Sequence, residues 1–198
     1  MPRVRAAVRP SQLRVALNEH TADVINTGHA LQVNLPGGDR LSVGGEEYEL
    51  LQFHLHTPSE HTVKGVRFPM EAHFVHRGRA GHLAVVAVLF RNGRANPAIA
   101  HLLEWLPRER GVEYHHEHVE LDGRHMLPKD HTTYRYDGSL TTPPCSEGVR
   151  WVVFATPLEA APAQIAAIAR LTGKNSRPTQ PLQGRAVLTE TVATPTTP

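Results

Sequence analysis

The sequence lacks cysteine almost entirely, since Cys145 is the single one among 198 residues. An internal disulfide is therefore excluded, and a solitary cysteine is more often a small buried hydrophobe than a reactive thiol. Long apolar runs are lacking as well. The longest, Leu83 to Phe90, is far shorter than the roughly 20 residues that cross a bilayer, so we expect no membrane-spanning segment.

An excess of charge of one sign is also missing. The 21 Lys and Arg residues are nearly balanced by 19 Asp and Glu, which leaves a formal net charge of +2. A nucleic-acid partner is not expected, because such proteins carry a dense basic face. Residues Met1 to Leu13 contain arginines but no apolar stretch follows them, so no secretory signal is predicted.

The 16 Pro and 15 Gly residues are spread along the chain, and long helical periodicities are few. This pattern predicts a mostly β protein, and the length fits a single domain over 1–198. A Thr- and Pro-rich end at 190–198 predicts a disordered tail. The predicted strands are Leu31–Leu35, Tyr48–His56, Glu71–His76, Leu83–Phe90 and Val149–Phe154, and the predicted helices are Asn96–Leu106 and Ala163–Leu171.

Histidine is abundant, with 14 residues, and three of them have a spacing that suits a metal. Strand alternation places Gln52, His54 and His56 on one face, with Leu51, Phe53 and Leu55 on the other. A second strand places Glu71, His73 and Val75 on one face. If the two strands pair, three imidazoles converge and leave a fourth position open, which is the arrangement of a catalytic zinc site.

Gln52 and Glu71 each lie two residues before a candidate ligand, and each is able to accept an imidazole N–H. A second His-x-His pattern occurs in Tyr114–His118, but it lacks apolar alternation. We interpret it as a solvated segment. His61 and the other histidines are interpreted individually as ordinary polar side chains.

Three ordered motifs make the sequence similar to the α-class carbonic anhydrases, particularly the bacterial ones. The motifs are Leu51–His61 (LQFHLHTPSEH), Glu71–His76 (EAHFVH) and Tyr136–Val149 (YDGSLTTPPCSEGV). The similarity extends from about Val24 to about Leu188. It implies a single domain around a large, twisted, mainly antiparallel sheet with a few short helices. It also implies Zn2+-dependent reversible hydration of carbon dioxide to bicarbonate and a proton.

By this resemblance His54, His56 and His73 are the zinc ligands and zinc-activated hydroxide is the nucleophile. Gln52, Glu71 and the backbone carbonyl of Asn175 hold the imidazoles. Thr141 donates its hydroxyl proton to Glu60, and His29 is the proton shuttle, although it also fits an exposed turn histidine. The implied carbon dioxide pocket consists of Val75, Val85, Leu140, Thr142, Val149 and Trp151, all of which also suit a core or a turn.

The sequence departs from the family at residues 1–20, which look atypical, and we expect a truncated or misassigned start. The resemblance implies a periplasmic or secreted location, whereas a genuine start implies a cytoplasmic one. A monomer or a homodimer is expected.

Two alternatives to this function stay open. One is a cupin, in which Glu60 would be a metal ligand; the other is a carbonic-anhydrase-like module without catalysis.

Overall fold

The computed structural model describes residues 4–6, 14–15, 19–27, 30–35, 40–43, 45–120 and 123–191, and describes side chains within 23–27, 30–35, 40–43, 45–115 and 125–190. The predicted mostly β class is confirmed, because strands dominate and 13 of them join in one sheet. The strands are β1 (Val4–Ala6), β2 (Arg14–Val15), β3 (Glu19–Asn26), β4 (Leu31–Asn34), β5 (Arg40–Val43), β6 (Glu46–His56), β7 (Thr62–Val63), β8 (Val66–Arg67), β9 (Met70–Gly78), β10 (Leu83–Asn92), β11 (Glu113–Glu120), β12 (Thr132–Ser139), β13 (Glu147–Phe154), β14 (Leu158–Ala160) and β15 (Val187–Thr191). The helices are α1 (Pro97–Trp105), α2 (Gly123–Met126) and α3 (Pro162–Thr172).

The central path of the sheet runs β1-β15-β12-β13-β10-β9-β6-β4-β3-β11. Most neighbours are antiparallel, as predicted, and the parallel pairs are β1 with β15, β10 with β13 and β10 with β14. Strands β7 and β8 form a separate two-stranded hairpin. The two strands predicted to hold the metal ligands, β6 and β9, are direct neighbours in the middle of the sheet.

The predicted strands and helices are all present, with ends that differ by a few residues. Helix α1 begins directly after Asn96, whose side-chain oxygen accepts a hydrogen bond from the Ile99 N–H at 3.2 Å. This bond satisfies one of the N–H groups that the first turn leaves unpaired. Pro97 follows at the first helical position, where its missing N–H costs nothing.

Three expectations need correction. Residues Tyr114–His118 form part of strand β11, which pairs with β3, although Tyr114 and His115 are exposed as a solvated segment would be. Strand β15 extends to Thr191, so the predicted tail does not include 190–191, and 192–198 lie outside the described residues. Leu51 is only half-buried, because the register of β6 shifts between Leu50 and Gln52 and moves Leu50 into the core.

The sheet buries residues on both of its faces. On one face, which we call the helix face, Phe53, Phe74 and Phe90 pack with residues of α1 and α3 into the larger core. On the other, which we call the metal face, a smaller cluster contains Val85, Trp151 and their neighbours. Strand β10 contributes to both cores, as its unbroken apolar run predicts.

Within the described part of the chain, none of the helices has the length and apolar character that a membrane span requires.

Candidate metal centre

Three histidines converge on the metal face because β6 and β9 are in register there. His54 lies directly opposite His73, and His56 lies opposite Glu71. The ring centroids are 4.9 Å apart for His54 and His56, 5.3 Å for His54 and His73, and 4.6 Å for His56 and His73. One ring nitrogen from each lies within 4.8 Å of the other two. The structure therefore brings together all three predicted ligands.

The second nitrogen of each ring is held by an oxygen acceptor. His54 Nδ1 lies 2.8 Å from Gln52 Oε1, and His73 Nε2 lies 2.9 Å from Glu71 Oε1. His56 Nδ1 lies 3.2 Å from the carbonyl oxygen of Asn175. These oxygens accept, so each ring donates its N–H outward. The nitrogens that face the centre are then His54 Nε2, His56 Nε2 and His73 Nδ1, each with a free lone pair.

This donor set fits a zinc ion. Burial, with the neighbouring rings adding to it, holds the pKa of His54 well below its ordinary value and lowers that of His56 to about 4. Both imidazoles are therefore neutral at pH 7, the form that binds metal. His56 Nε2 is buried and has no hydrogen-bond partner among the described residues. A buried nitrogen without a partner is costly unless a metal or water completes it.

Asn175 fixes the end of β6 with its side chain as well as its carbonyl. Its Oδ1 accepts from the Thr57 N–H at 2.9 Å, and its Nδ2 donates to the Leu55 carbonyl at 2.8 Å. These two bonds bracket His56 on either side. The orientation of that ring is thus determined by a loop more than a hundred residues further along the chain.

Glu71 is fully buried and connects the histidines to the rest of the metal face. Its Oε2 accepts the backbone N–H groups of Glu60 and His61, at 2.8 and 2.9 Å. Its Oε1 is shared between His73 and His61 Nδ1. Burial alone would raise the pKa of Glu71, but the charges and hydrogen bonds of His61 and His73 hold it well below its ordinary value. Glu71 is therefore a carboxylate that organises four donors.

The sequence analysis missed the role of His61 and Tyr136. His61 Nε2 lies 2.7 Å from the Tyr136 hydroxyl, which extends the Glu71 network to β12. Although burial lowers the pKa of His61, the charge of Glu71 raises it above the ordinary value overall. Gly138 stands beside this network, and a Cβ there would lie 2.8 Å from Tyr136 and 2.9 Å from Trp151. No local pattern signals these contacts, since the partners are distant in sequence.

Glu60 and Thr141 line the same cavity, but the hydrogen bond that the resemblance implies between them is absent here. Glu60 Oε1 instead accepts the Arg177 N–H at 2.7 Å, and Oε2 is buried without a partner among the described residues. Glu60 Oε2 lies 4.0 Å from His73 Nδ1, so this acceptor stands beside the metal-facing nitrogens.

The residues expected to hold carbon dioxide are mostly together. Val75, Val85, Val149 and Trp151 belong to one buried cluster, and Leu140 packs against it. The Trp151 ring lies 4.8 Å from the His73 ring, which places the cluster beside the centre. Thr142 is exposed and is not part of this cluster. His29, the expected proton shuttle, lies outside the described residues.

Comparison with known proteins agrees with this geometry. The family model for eukaryotic-type carbonic anhydrases matches residues 3–191, a range that includes most of the segment set apart above as atypical. The chain belongs to this carbonic anhydrase family.

Relatives and solved structures of the family are similar along most of the chain. A carbonic anhydrase of Nostoc sp. is 44% identical over 83% of this chain, although the match spans only 62% of that protein's length. One of Pectobacterium carotovorum is 40% identical over 89% of this chain and 72% of its own. The Photobacterium profundum α-carbonic anhydrase superposes with a TM-score of 0.86 at 42% identity, covering 95% of this chain and 86% of that one.

Proposed function

We propose that this chain catalyses the reversible hydration of carbon dioxide to bicarbonate and a proton, with a zinc ion held by His54 Nε2, His56 Nε2 and His73 Nδ1. The observation that carries the proposal is the convergence of these three nitrogens while each outer nitrogen is held by its own acceptor. Membership of the carbonic anhydrase family supports it.

The chemistry that zinc supplies in such a site is the acidification of water to a pKa of about 7, a value known for carbonic anhydrases as a class. Gln52, Glu71 and the Asn175 carbonyl would fix the tautomer and the orientation of the ligands. They also keep each metal-facing nitrogen unprotonated, because the only ring proton is donated away from the centre.

We assign Glu60 and Thr141 to the orientation of the nucleophile. Glu60 Oε2 is a buried acceptor without a hydrogen-bond partner in the described part of the chain, and Thr141 stands on the same cavity wall. A threonine hydroxyl that donates its proton to Glu60 must accept from the nucleophile, which then directs a lone pair toward the substrate. This role predicts that Thr141→Ala and Thr141→Ser differ strongly in hydration rate, because only serine keeps the hydroxyl.

Carbon dioxide carries no charge or donor, so an apolar patch suits it. We assign the patch to Val75, Val85, Val149 and Trp151 together with Leu140, because they form one cluster beside His73. Thr142 is placed at the exposed rim of this patch. The bicarbonate product is more strongly hydrated than carbon dioxide, and an apolar patch therefore favours its release.

The proton released in each cycle needs a carrier, and we assign this role to His29 because an imidazole titrates near neutral pH. His29→Ala is expected to lower the hydration rate in dilute buffer, and added imidazole is expected to restore it. An unchanged rate in dilute buffer would remove His29 from the mechanism.

The experiment that tests the function is stopped-flow hydration of carbon dioxide by the purified chain, after its zinc content has been measured. We expect hydration that His73→Ala abolishes together with the bound zinc. His82→Ala is the matched control, because His82 is an exposed histidine away from the centre, and it should keep both.

The same experiment distinguishes the two alternatives. Stoichiometric zinc without hydration would favour a carbonic-anhydrase-like module that binds but does not catalyse. The cupin alternative is not supported, since the chain belongs to a different family. Zinc retention by Glu60→Gln would exclude Glu60 as a ligand.

A further inference from the structure

Three consecutive residues of the loop that follows α3 dock against the segment that includes the end of β6. Asn175 holds the backbone at the end of this strand, as described above. Arg177 donates its backbone N–H to Glu60 Oε1 at 2.7 Å. Ser176, between them, accepts a hydrogen bond from the side chain of Arg67 at 2.9 Å. Two of these contacts lead to groups of the proposed reaction, and the third leads to an arginine that the reaction does not use.

Arg67 lies on β8 of the β7–β8 hairpin, and its side chain bridges two segments that are far apart in sequence. Its Nε donates to the backbone carbonyl of Ser59 at 2.7 Å, and its Nη2 donates to Ser176 Oγ. Ser59 is fully buried and is fixed to the hairpin, because its N–H donates to the Phe68 carbonyl and its Oγ accepts the Phe68 N–H. The bridge therefore joins the loop after α3 to a well-anchored residue.

The bridge belongs to a closed ring of covalent and hydrogen bonds. On one side of the ring, the Arg177 N–H joins the loop to Glu60. On the other side, the guanidinium of Arg67 joins the residues that precede them in the chain, Ser59 and Ser176. Because the ring is closed, the separation that Arg67 imposes on its two acceptors also determines how the Arg177 N–H meets Glu60.

An arginine suits this bridge better than a lysine does. The Nε–H and one Nη2 N–H point from the same edge of the planar guanidinium, so they hold two acceptors at a fixed separation. An ammonium group is a point charge on a flexible stem and imposes no such spacing. Both acceptors are neutral oxygens, and Arg67 forms no ion pair with another described side chain. The side chain therefore contributes geometry more than charge.

The two oxygens of Glu60 connect this ring to the metal centre. Oε1 accepts the Arg177 N–H, and Oε2 is buried 4.0 Å from His73 Nδ1. A carboxylate is planar, so the bond that fixes Oε1 also fixes the direction of Oε2. A displacement of the loop would then turn Oε2 away from the position at which Glu60 orients the nucleophile.

We propose that Arg67 is a positioning residue for the hydration of carbon dioxide, and that it acts through Glu60. By holding Ser176 against Ser59 it keeps the Arg177 N–H on Oε1 and thereby aims Oε2. The inference rests on the role of Glu60 in the proposed function. Arg67 is exposed and neither of its two bonds reaches a zinc ligand, so its removal should leave the bound zinc in place.

Stopped-flow hydration by the zinc-loaded chain is the first test. Arg67→Gln and Arg67→Lys should both lower kcat/KM by about ten-fold at unchanged zinc content, because a small misplacement of a catalytic group is costly in rate. Arg94→Gln is the matched control and should keep the rate, since Arg94 is exposed and its Nε also joins two distant segments, at Glu159. A full rate in Arg67→Lys would show that charge suffices, and this would overturn the proposal.

Hydrogen exchange measured by NMR gives a readout that does not depend on activity. In Arg67→Gln the Arg177 amide should exchange about ten-fold faster, because the loop opens more readily, while the amides of β9 and β10 keep their protection. Ser176→Ala removes the other end of the bridge and should have the same effect, so it carries the test if Arg67→Gln does not fold. Unchanged exchange of the Arg177 amide would overturn the proposal.

A double-substitution cycle separates positioning from a general loosening of the chain. If Arg67 acts through Glu60, Arg67→Gln should cause no further loss of rate in a chain that already carries Glu60→Gln. Full additivity of the two losses would overturn the proposal. A zinc-loaded parent chain without hydration would contradict the proposed function, and the positioning role with it. An active parent chain whose rate Arg67→Gln leaves unchanged would overturn this inference alone.

Discussion

The two faces of the sheet differ in how they are completed. On the helix face, Phe53 and Phe74 stack with centroids 5.4 Å apart and are covered by residues of α1 and α3. On the metal face, Glu71, His56 and His73 are buried at the same depth, and a cavity stays open beside them. The same two strands supply both surfaces, since Phe74 lies between His73 and Val75 on β9.

This difference separates stability from function within single strands. The helix face is held by apolar packing, whose cost of disruption depends on the volume removed. The metal face is held by directed hydrogen bonds that converge on Glu71, and there the loss of one acceptor changes geometry more than it changes the fold. Changes on alternate residues of one strand should therefore produce different defects.

The largest effect is expected for Phe74→Ala. The ring is fully buried on the helix face, and its removal should lower the free energy of unfolding by about 3–5 kcal/mol, as measured by urea denaturation. Val75→Ala, on the metal face of the same strand, removes less volume and should cost less. If the two substitutions destabilised the chain equally, the proposed division between the faces would be wrong.

The next effect is the loss of stability of the metal-free chain in acid. The pKa of His56 is about 4 in the folded chain, whereas the unfolded chain has the ordinary value of 6.5. Between these two pKa values the proton binds only to the unfolded chain, so the free energy of unfolding falls as the pH drops from about 6.5 to about 4. Below about pH 4 both states are protonated, and His56 causes no further loss. The loss is on the order of 3 kcal/mol.

Urea denaturation of the metal-free chain at several pH values checks this expectation. His56→Gln removes the titrating group, and the variant should show a shallower fall over the same range. Equal slopes for the two proteins would show that acid acts through other residues.

The share of the fold and of the metal centre that the sequence predicts differs between the two faces. The alternation of Gln52, His54 and His56 is local, so the sequence predicts the shared face of the ligands. The apolar run of β10 is also a local signal, and the strand that it predicts is confirmed. Strand β11 was missed because its sequence gives no apolar alternation, and its strand character depends on pairing with β3.

The remainder depends on contacts between distant residues. The register that sets His54 opposite His73 depends on a shift between Leu50 and Gln52, and no residue type at these positions predicts that shift. His61 reaches Glu71 across 10 positions and Tyr136 across 75, so single-sequence reasoning treats it as an ordinary polar side chain. The cavity is likewise lined by residues that are far apart in sequence, from Glu60 to Val187, so periodicity does not reveal it.

A smaller effect, on zinc affinity, is expected for Glu71→Gln. Glutamine keeps the shape but replaces one acceptor oxygen by an N–H2 group, which meets the donors that Glu71 now accepts. Zinc affinity should fall by about 10–100-fold, as is typical when a partner of a metal-ligating histidine is removed. Chelator competition measures this, and Glu47→Gln, an exposed glutamate, should leave zinc affinity unchanged.

The smallest effect, and the finest test of the metal face, is expected for Tyr136→Phe. The substitution removes the hydroxyl that contacts His61 Nε2 at 2.7 Å and leaves the ring on Trp151 in place. The free energy of unfolding should fall by about 1 kcal/mol, the usual net worth of one hydrogen bond. Tyr134→Phe is the matched control, because the Tyr134 hydroxyl has no hydrogen bond among the described residues. Only Tyr136→Phe should weaken zinc binding, since only Tyr136 reaches Glu71 through His61. If the two substitutions had equal effects on zinc affinity, the hydrogen-bond network would end at His61.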